Sequence, residues 1–343
     1  MFWIVGADLI VRALPKIHDS SLTRALATQM EHCEWAGFHF YDLIFPLFVF
    51  MAGIAIAFSV PGMIERQGRL MAIKRIVIRS IVLFLLGVFY MGGVANGFKN
   101  IYFAGVLHRI AVAYFFSALL VCFAGLRTLI SLCAGLLIGY WALMTFVPIP
   151  EIGAASLAVP GRNLAHYLDQ LYLPGQKFEG TILSTMAAVA NCLIGVFAGV
   201  LVRNAKVSSQ QKVYWLLGGG ALGLVVGFLW GEQFPVIKLL WTSSYVLVAC
   251  GYSAILLAIF YQIIEIWQLR KWAEPFLWLG TNAITIYIAA NILGFHRLAL
   301  RFVGGDVRTL LGNSADFVQA LIGTAFALAF VYFLYRRKIF LRL

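Results

Sequence analysis

The sequence predicts an all-α polytopic membrane protein: about ten transmembrane helices in one bundle, with both termini cytoplasmic. Three observations predict it. Of 343 residues, 62% are apolar or aromatic, against roughly 45–50% in a soluble domain. Only 12% are charged, too few to clothe a chain of this length in water. The apolar residues also come in runs of spanning length, and at about 20 per helix they supply about ten spans. A soluble enzyme is excluded, and the whole chain, 1–343, reads as a single transmembrane domain.

In chain order the runs fall at 40–60, 74–94, 105–126, 128–147, 180–202, 212–231, 239–266, 275–295 and 316–335. Ahead of them Phe2–Leu14 is too short to span, and it reads as the remainder of a truncated first helix. It has neither the basic flank nor the small-residue cleavage site of a signal peptide. With ten helices, fifteen Lys and Arg collect on one side and nine on the other, while Arg12 and Arg109 lie within or at the edges of helices. The positive-inside rule makes the richer side cytoplasmic. The two longest loops, about 15–39 and 148–179, then lie on the outer face. Both carry enough aromatic and aliphatic residues to fold back over the helix ends.

The net charge of +12 comes from short basic groups between apolar runs, as anionic headgroups require. It points to the lipid bilayer as partner and not to nucleic acid. Four of five cysteines, Cys122, Cys133, Cys192 and Cys250, sit inside apolar runs, so no disulfide framework is expected. The sequence lacks an N-x-S/T sequon, which favours a prokaryotic source. It also lacks Walker A, HExxH and CxxC patterns and a GxGxxG dinucleotide turn between a strand and a helix, so no metal or nucleotide-hydrolysis site is expected.

The densest polar stretch runs from Glu31 to Asp42. Asp42, at the mouth of a span, is expected to cap the helix or face a cavity, because a carboxylate facing lipid is costly. His32 and His39 can move protons near neutral pH. Arg75 and Arg79 lie four apart on one helix face, suited to phosphate oxygens or to snorkelling. Arg109 and Asn282 are further polar residues within spans. Asn282 serves equally as an interhelical hydrogen-bonding group.

The ordered motifs resemble one family. His32-x-x-Trp35-x-Gly37, Asp42-Leu43-Ile44-Phe45-Pro46, Gly105-Val106-Leu107-His108-Arg109, Glu179-Gly180-Thr181, Leu240-Trp241-Thr242-Ser243-Ser244-Tyr245 and Gly280-Thr281-Asn282 follow one another. The order is similar to that in the transmembrane acyltransferases related to heparan-α-glucosaminide N-acetyltransferase. The resemblance implies acetyl-CoA as co-substrate and a glucosamine-type or other glycan acceptor; a homodimer and a bacterial cytoplasmic membrane as the location are separate expectations. It implies His32 as catalytic base or transient acetyl carrier, with Asp42 beside it. Arg79, Arg75 and Arg109 become expected donor contacts, and Trp35, Glu179, Trp241, Asn282 and Asp8 expected acceptor-side residues. Asp8 stands where relatives often carry Asn. The competing class is a secondary transporter, which internal inverted repeats would favour; the two halves show no convincing self-similarity.

Overall fold

The computed structural model describes residues 1–150, 153, 156–175 and 180–341. It is 77% helix, and among the described residues two isolated bridges, Ala36 to Ile237 and Ile149 to Gly153, are the only extended pairings. Helices α1 (Asp8–Arg12), α2 (Leu14–Ile17) and α3 (Ser21–Gln29) are short. Next come α4 (Ile44–Gln67), α5 (Arg69–Tyr90), α6 (Val106–Phe123) and α7 (Leu126–Phe146). A loop helix, α8 (Leu164–Tyr172), precedes α9 (Thr185–Arg203), α10 (Ser209–Gly231) and α11 (Ser243–Tyr261). The chain ends with α12 (Glu274–Thr281), α13 (Ala283–Leu293), α14 (Phe295–Val303), α15 (Gly305–Leu311) and α16 (Ala315–Arg336).

Seven helical stretches among the described residues are long and apolar enough to cross a membrane, and the chain is an integral membrane protein. They are Phe40–Gln67, Val106–Phe123, Leu126–Phe146, Thr185–Arg203, Ser209–Gly231, Ser243–Ile266 and Gly305–Arg336. The expected count of about ten departs from this at three places, each for a local reason. α5 is long enough to cross, with 22 residues, but Arg69, Lys74, Arg75 and Arg79 crowd its first half and keep it out of the apolar set. The run at 275–295 is bent by 72° where α12 gives way to α13, because Asn282 leaves helical geometry (φ −120°, ψ 29°). The run Phe2–Leu14 is broken at Gly6, whose φ is +126°. A Cβ at Gly6 would lie 1.7 Å from Nε2 of His296, the atom that reaches the Val5 carbonyl at 3.1 Å.

The described chain divides into two compact units. Residues 33–38 and 42–267, with α4 to α11, form the larger. Its core is the seam between α4 and α9, where glycines let backbones meet. A Cβ on Gly195 would lie 2.0 Å from the Phe50 carbonyl oxygen, and one on Gly199 would lie 2.7 Å from Ala57 Cβ. Their spacing is the small-xxx-small pattern that draws helices together in lipid. Polar groups close the same seam. Asn191 Nδ2 donates to the Pro46 carbonyl at 3.1 Å. Pro61 lacks the N–H that would bond the Ala57 carbonyl, and Arg203 donates to that carbonyl instead, at 3.1 Å. Residues 156–175 fold inward: Asn163 caps α8 at 2.8 Å, and Leu164 and Ala165 join the core. The Asp169 carboxylate then accepts the N–H groups of Thr181 and Ile182, at 2.5 and 2.9 Å.

Residues 1–32, 39–41 and the chain from Gln268 onward form the smaller unit, with α1 to α3 and α12 to α16. Val5, Leu279, Ile286, Phe295, Ala327 and Val331 make its core. Asp316 holds both Lys16 and Arg308. A Ser20–Thr23 capping box starts α3.

Candidate functional site

The larger unit builds its polar centre on the turn that leads into α11. Thr242 caps that helix by accepting from the Tyr245 N–H, and it also accepts from the Ile237 N–H at 3.0 Å and donates to the Pro235 carbonyl at 2.8 Å. Ser244 donates to the Phe234 carbonyl, Ser243 to Leu137 and the Tyr140 hydroxyl to Leu240, at 2.5, 2.7 and 2.5 Å. The hydroxyl-rich motif is thus a scaffold that pins one residue. Trp241 sits at φ +53°, a left-handed conformation rare for a bulky side chain, and it is 1% exposed.

Arg109 lies over the Trp241 ring, its guanidinium carbon 4.6 Å from the centroid. Phe45 and Tyr245 pack edge-on against that indole at 4.7 and 5.4 Å. Among the described residues neither Arg109 Nη1 nor Trp241 Nε1 has a partner, although both atoms are buried. Two donors aimed into a protein interior without acceptors cost free energy unless a ligand or water supplies oxygen atoms. Burial raises the nearby Tyr102 hydroxyl pKa, and the Arg109 charge opposes that rise.

Asp42 anchors the neighbouring loop. Its carboxylate is fully buried. Oδ1 pairs with Lys238 Nζ at 3.1 Å, Oδ2 accepts the Cys33 N–H at 3.2 Å, and its carbonyl accepts the Tyr245 hydroxyl at 2.8 Å. Burial pulls the Lys238 pKa down, and Asp42 opposes that pull. Residues 33–38 run beside the 234–242 turn, with the Gly37 N–H donating to Val236 at 2.9 Å. Trp35 Nε1 donates to the Leu157 carbonyl at 2.7 Å, and Phe38 stacks on Tyr252 at 5.4 Å.

Of the residues expected from sequence, Asp42, Trp35, Arg109 and Trp241 lie in this one unit. Arg79 is also there, half-buried on α5, its guanidinium 4.8 Å from the centroid of Tyr114 on α6 and its Nε buried without a partner. Arg75 is exposed. Glu179 lies outside the described residues. His32, Asp8 and Asn282 belong to the smaller unit. His32 is exposed, its ring 4.8 Å from that of Tyr41, and the Tyr41 hydroxyl interacts with the buried Asp8 carboxylate. Asn282 is buried at the α12–α13 bend, and among the described residues neither of its amide atoms has a hydrogen-bond partner.

Sequence reasoning missed Lys238, Asp169 and the demand on His108. His108 is 2% exposed, edge-on to Phe84 at 4.6 Å, and among the described residues neither ring nitrogen has a partner. Lys238 alone had a signal, as a single cation between two apolar runs.

No family model matches the chain. It is similar to curated heparan-alpha-glucosaminide N-acetyltransferases. The mouse protein is 24% identical over 372 aligned positions, taking in 90% of this chain and 56% of the relative. The human protein is also 24% identical, over 90% of this chain and 55% of its own length. The chain therefore spans a little over half the length of the curated relatives it matches. It is related to these acyltransferases along nearly its whole length, which agrees with the ordered motifs.

Proposed function

We propose, from that relationship, that the chain transfers an acetyl group from acetyl-CoA to an amino sugar or another glycan acceptor while embedded in the membrane. The observation that carries the reading is the similarity over 90% of the chain, within which the motif residues Arg109 and Trp241 present buried, unpartnered donors. The oxygens of a thioester carbonyl or a phosphate accept from such donors.

In the reaction the acceptor nitrogen or hydroxyl oxygen attacks the acetyl carbonyl carbon, and the carbon–sulfur bond breaks. His32 takes the proton that the attacking atom loses, and the CoA sulfur leaves to become the thiol. A positioned imidazole contributes about 10²–10⁴-fold in such a step. In the alternative order His32 first receives the acetyl group on a ring nitrogen and then yields it to the acceptor. Asp42 acts as a positioning residue: its carboxylate holds the N–H of Cys33, the next residue after His32. The reading keeps the sidedness of the Lys and Arg count, with acetyl-CoA on the cytoplasmic side of a bacterial membrane and the acceptor outside.

Mass spectrometry of purified protein given labelled acetyl-CoA and a panel of amino sugars tests this. The expected result is a labelled acceptor that disappears in His32→Ala while acetyl-CoA binding persists. Full activity in His32→Ala would remove the assigned base. No labelled product from any amino sugar or glycan would remove the acyltransferase reading.

A further inference from the structure

An open cleft of about 600 Å³ lies between α9, α10 and α11, within the range of ligand clefts, about 300–1,000 Å³. Phe197, Leu201, Leu216 and Leu247 form its walls, and Gly219 and Gly223 line it from α10. Gly219 keeps space free, since a Cβ there would meet no atom within 4 Å. All three helices are long and apolar enough to span, so hydrocarbon and not water borders the cleft.

One end of the cleft is cationic. Residues 212, 216, 219 and 223 share one face of α10 by helical spacing, so Lys212 stands one turn beyond the cleft wall on the side that lines it. Lys212 is only 8% exposed, and among the described residues its ammonium has neither an ion pair nor a hydrogen bond. With its stem buried, Lys212 holds a cation at the end of an apolar, lipid-facing cleft, where an anionic headgroup is favoured. Arg127, exposed at the start of α7, stands one turn before Ile130, another residue lining the cleft. Tyr214 and Trp215 are exposed near the same end of α10, as aromatic residues are at the headgroup level.

We propose that this cleft binds one anionic phospholipid of the surrounding bilayer, with an acyl chain along Gly219 and Gly223 and the phosphodiester on Lys212, assisted by Arg127. Basic pockets between spanning helices select anionic headgroups for this reason. A second copy of the chain suits the cleft poorly, because it would bring a net charge of +12 to a surface of the same sign.

The test reconstitutes the protein in nanodiscs of equal phosphatidylglycerol and phosphatidylcholine, extracts it gently, and counts retained lipid by native mass spectrometry. The native chain should keep one phosphatidylglycerol. Lys212→Gln should lower phosphatidylglycerol retention about five-fold and leave phosphatidylcholine unchanged. Arg127→Gln should give a smaller loss, and Gly219→Leu, which fills the cleft, should lose both lipids. Equal retention of the two lipids by the native chain, or undiminished phosphatidylglycerol in Lys212→Gln, would overturn the proposal. So would a disulfide between copies of Gly219→Cys, which would place this face at a dimer seam. Should Lys212→Gln fail to fold, displacement of bound phosphatidylglycerol from the native chain by short-chain phosphatidylglycerol, but not by short-chain phosphatidylcholine, supports the site. Equal displacement by both refutes it.

Discussion

Replacing Asp42 by Asn isolates what the buried ion pair does. The substitution keeps an acceptor for the Cys33 N–H but removes the charge 3.1 Å from Lys238 Nζ. Breaking one partner of a buried pair costs about 3–5 kcal/mol. The Lys238 side chain is 17% exposed, so water takes up part of the loss and the lower end, about 3 kcal/mol, applies. At 1.4 kcal/mol per decade that is roughly two decades in the opening equilibrium of the 33–38 loop. Cys33 reports that opening directly. It is half-buried, whereas Cys122, Cys133, Cys192 and Cys250 are buried, so a thiol reagent on detergent-purified protein should label Cys33 first, and up to about a hundred-fold faster in Asp42→Asn.

The loss should also depend on pH. Burial already lowers the Lys238 pKa and Asp42 opposes it, so without Asp42 the folded-state value falls further. Between that value and the ordinary lysine value the unfolded chain binds more protons than the folded one, and stability rises with pH. The deficit of Asp42→Asn should therefore be fully present below the folded-state pKa of Lys238 and shrink as pH climbs through that window. Unchanged Cys33 labelling, or a deficit that grows on the alkaline side, would refute the assignment. The double variant Asp42→Leu, Lys238→Met should lose less than either single change, because no charge is left without its partner.

Gly195→Ala should lower the thermal midpoint in detergent, since its methyl group would sit 2.0 Å from the Phe50 carbonyl oxygen and overpacking costs about 1–3 kcal/mol. Gly219→Ala, with open space at its Cβ, should be neutral or stabilising on the same melt. Arg79→Ala should weaken acetyl-CoA binding by roughly one to two decades in a titration, the worth of a charge-assisted phosphate contact. Exposed Arg75→Ala should change it little. Counting α5 with the four apolar stretches gives five crossings between residues 33 and 208, so in sealed vesicles of known orientation an impermeant thiol reagent should reach Cys33 from the outer side only and Ser208→Cys from the cytoplasmic side only. Labelling of both from one side would show an odd error in the helix count between them.

Composition and apolar run length sufficed for the class of the chain, because the hydrocarbon core of a bilayer sets both directly. The long helices followed the runs closely: α11 falls inside the stretch read at 239–266, and α9 ends one residue beyond the stretch read at 180–202. Motif order also pointed to the acyltransferases that the chain is similar to at 24% identity. Run length could not foretell the breaks at Gly6 and Asn282, because a helix interrupted by one residue looks as apolar as a straight one. The Gly6 break depends on His296, nearly the whole chain away. The same distance in sequence hid the pairing of Asp42 with Lys238 and of Arg109 with Trp241. Local pattern carries the period and length of an element, whereas which polar groups meet, and which are left needing a ligand, is decided only when packing brings distant segments within hydrogen-bond reach.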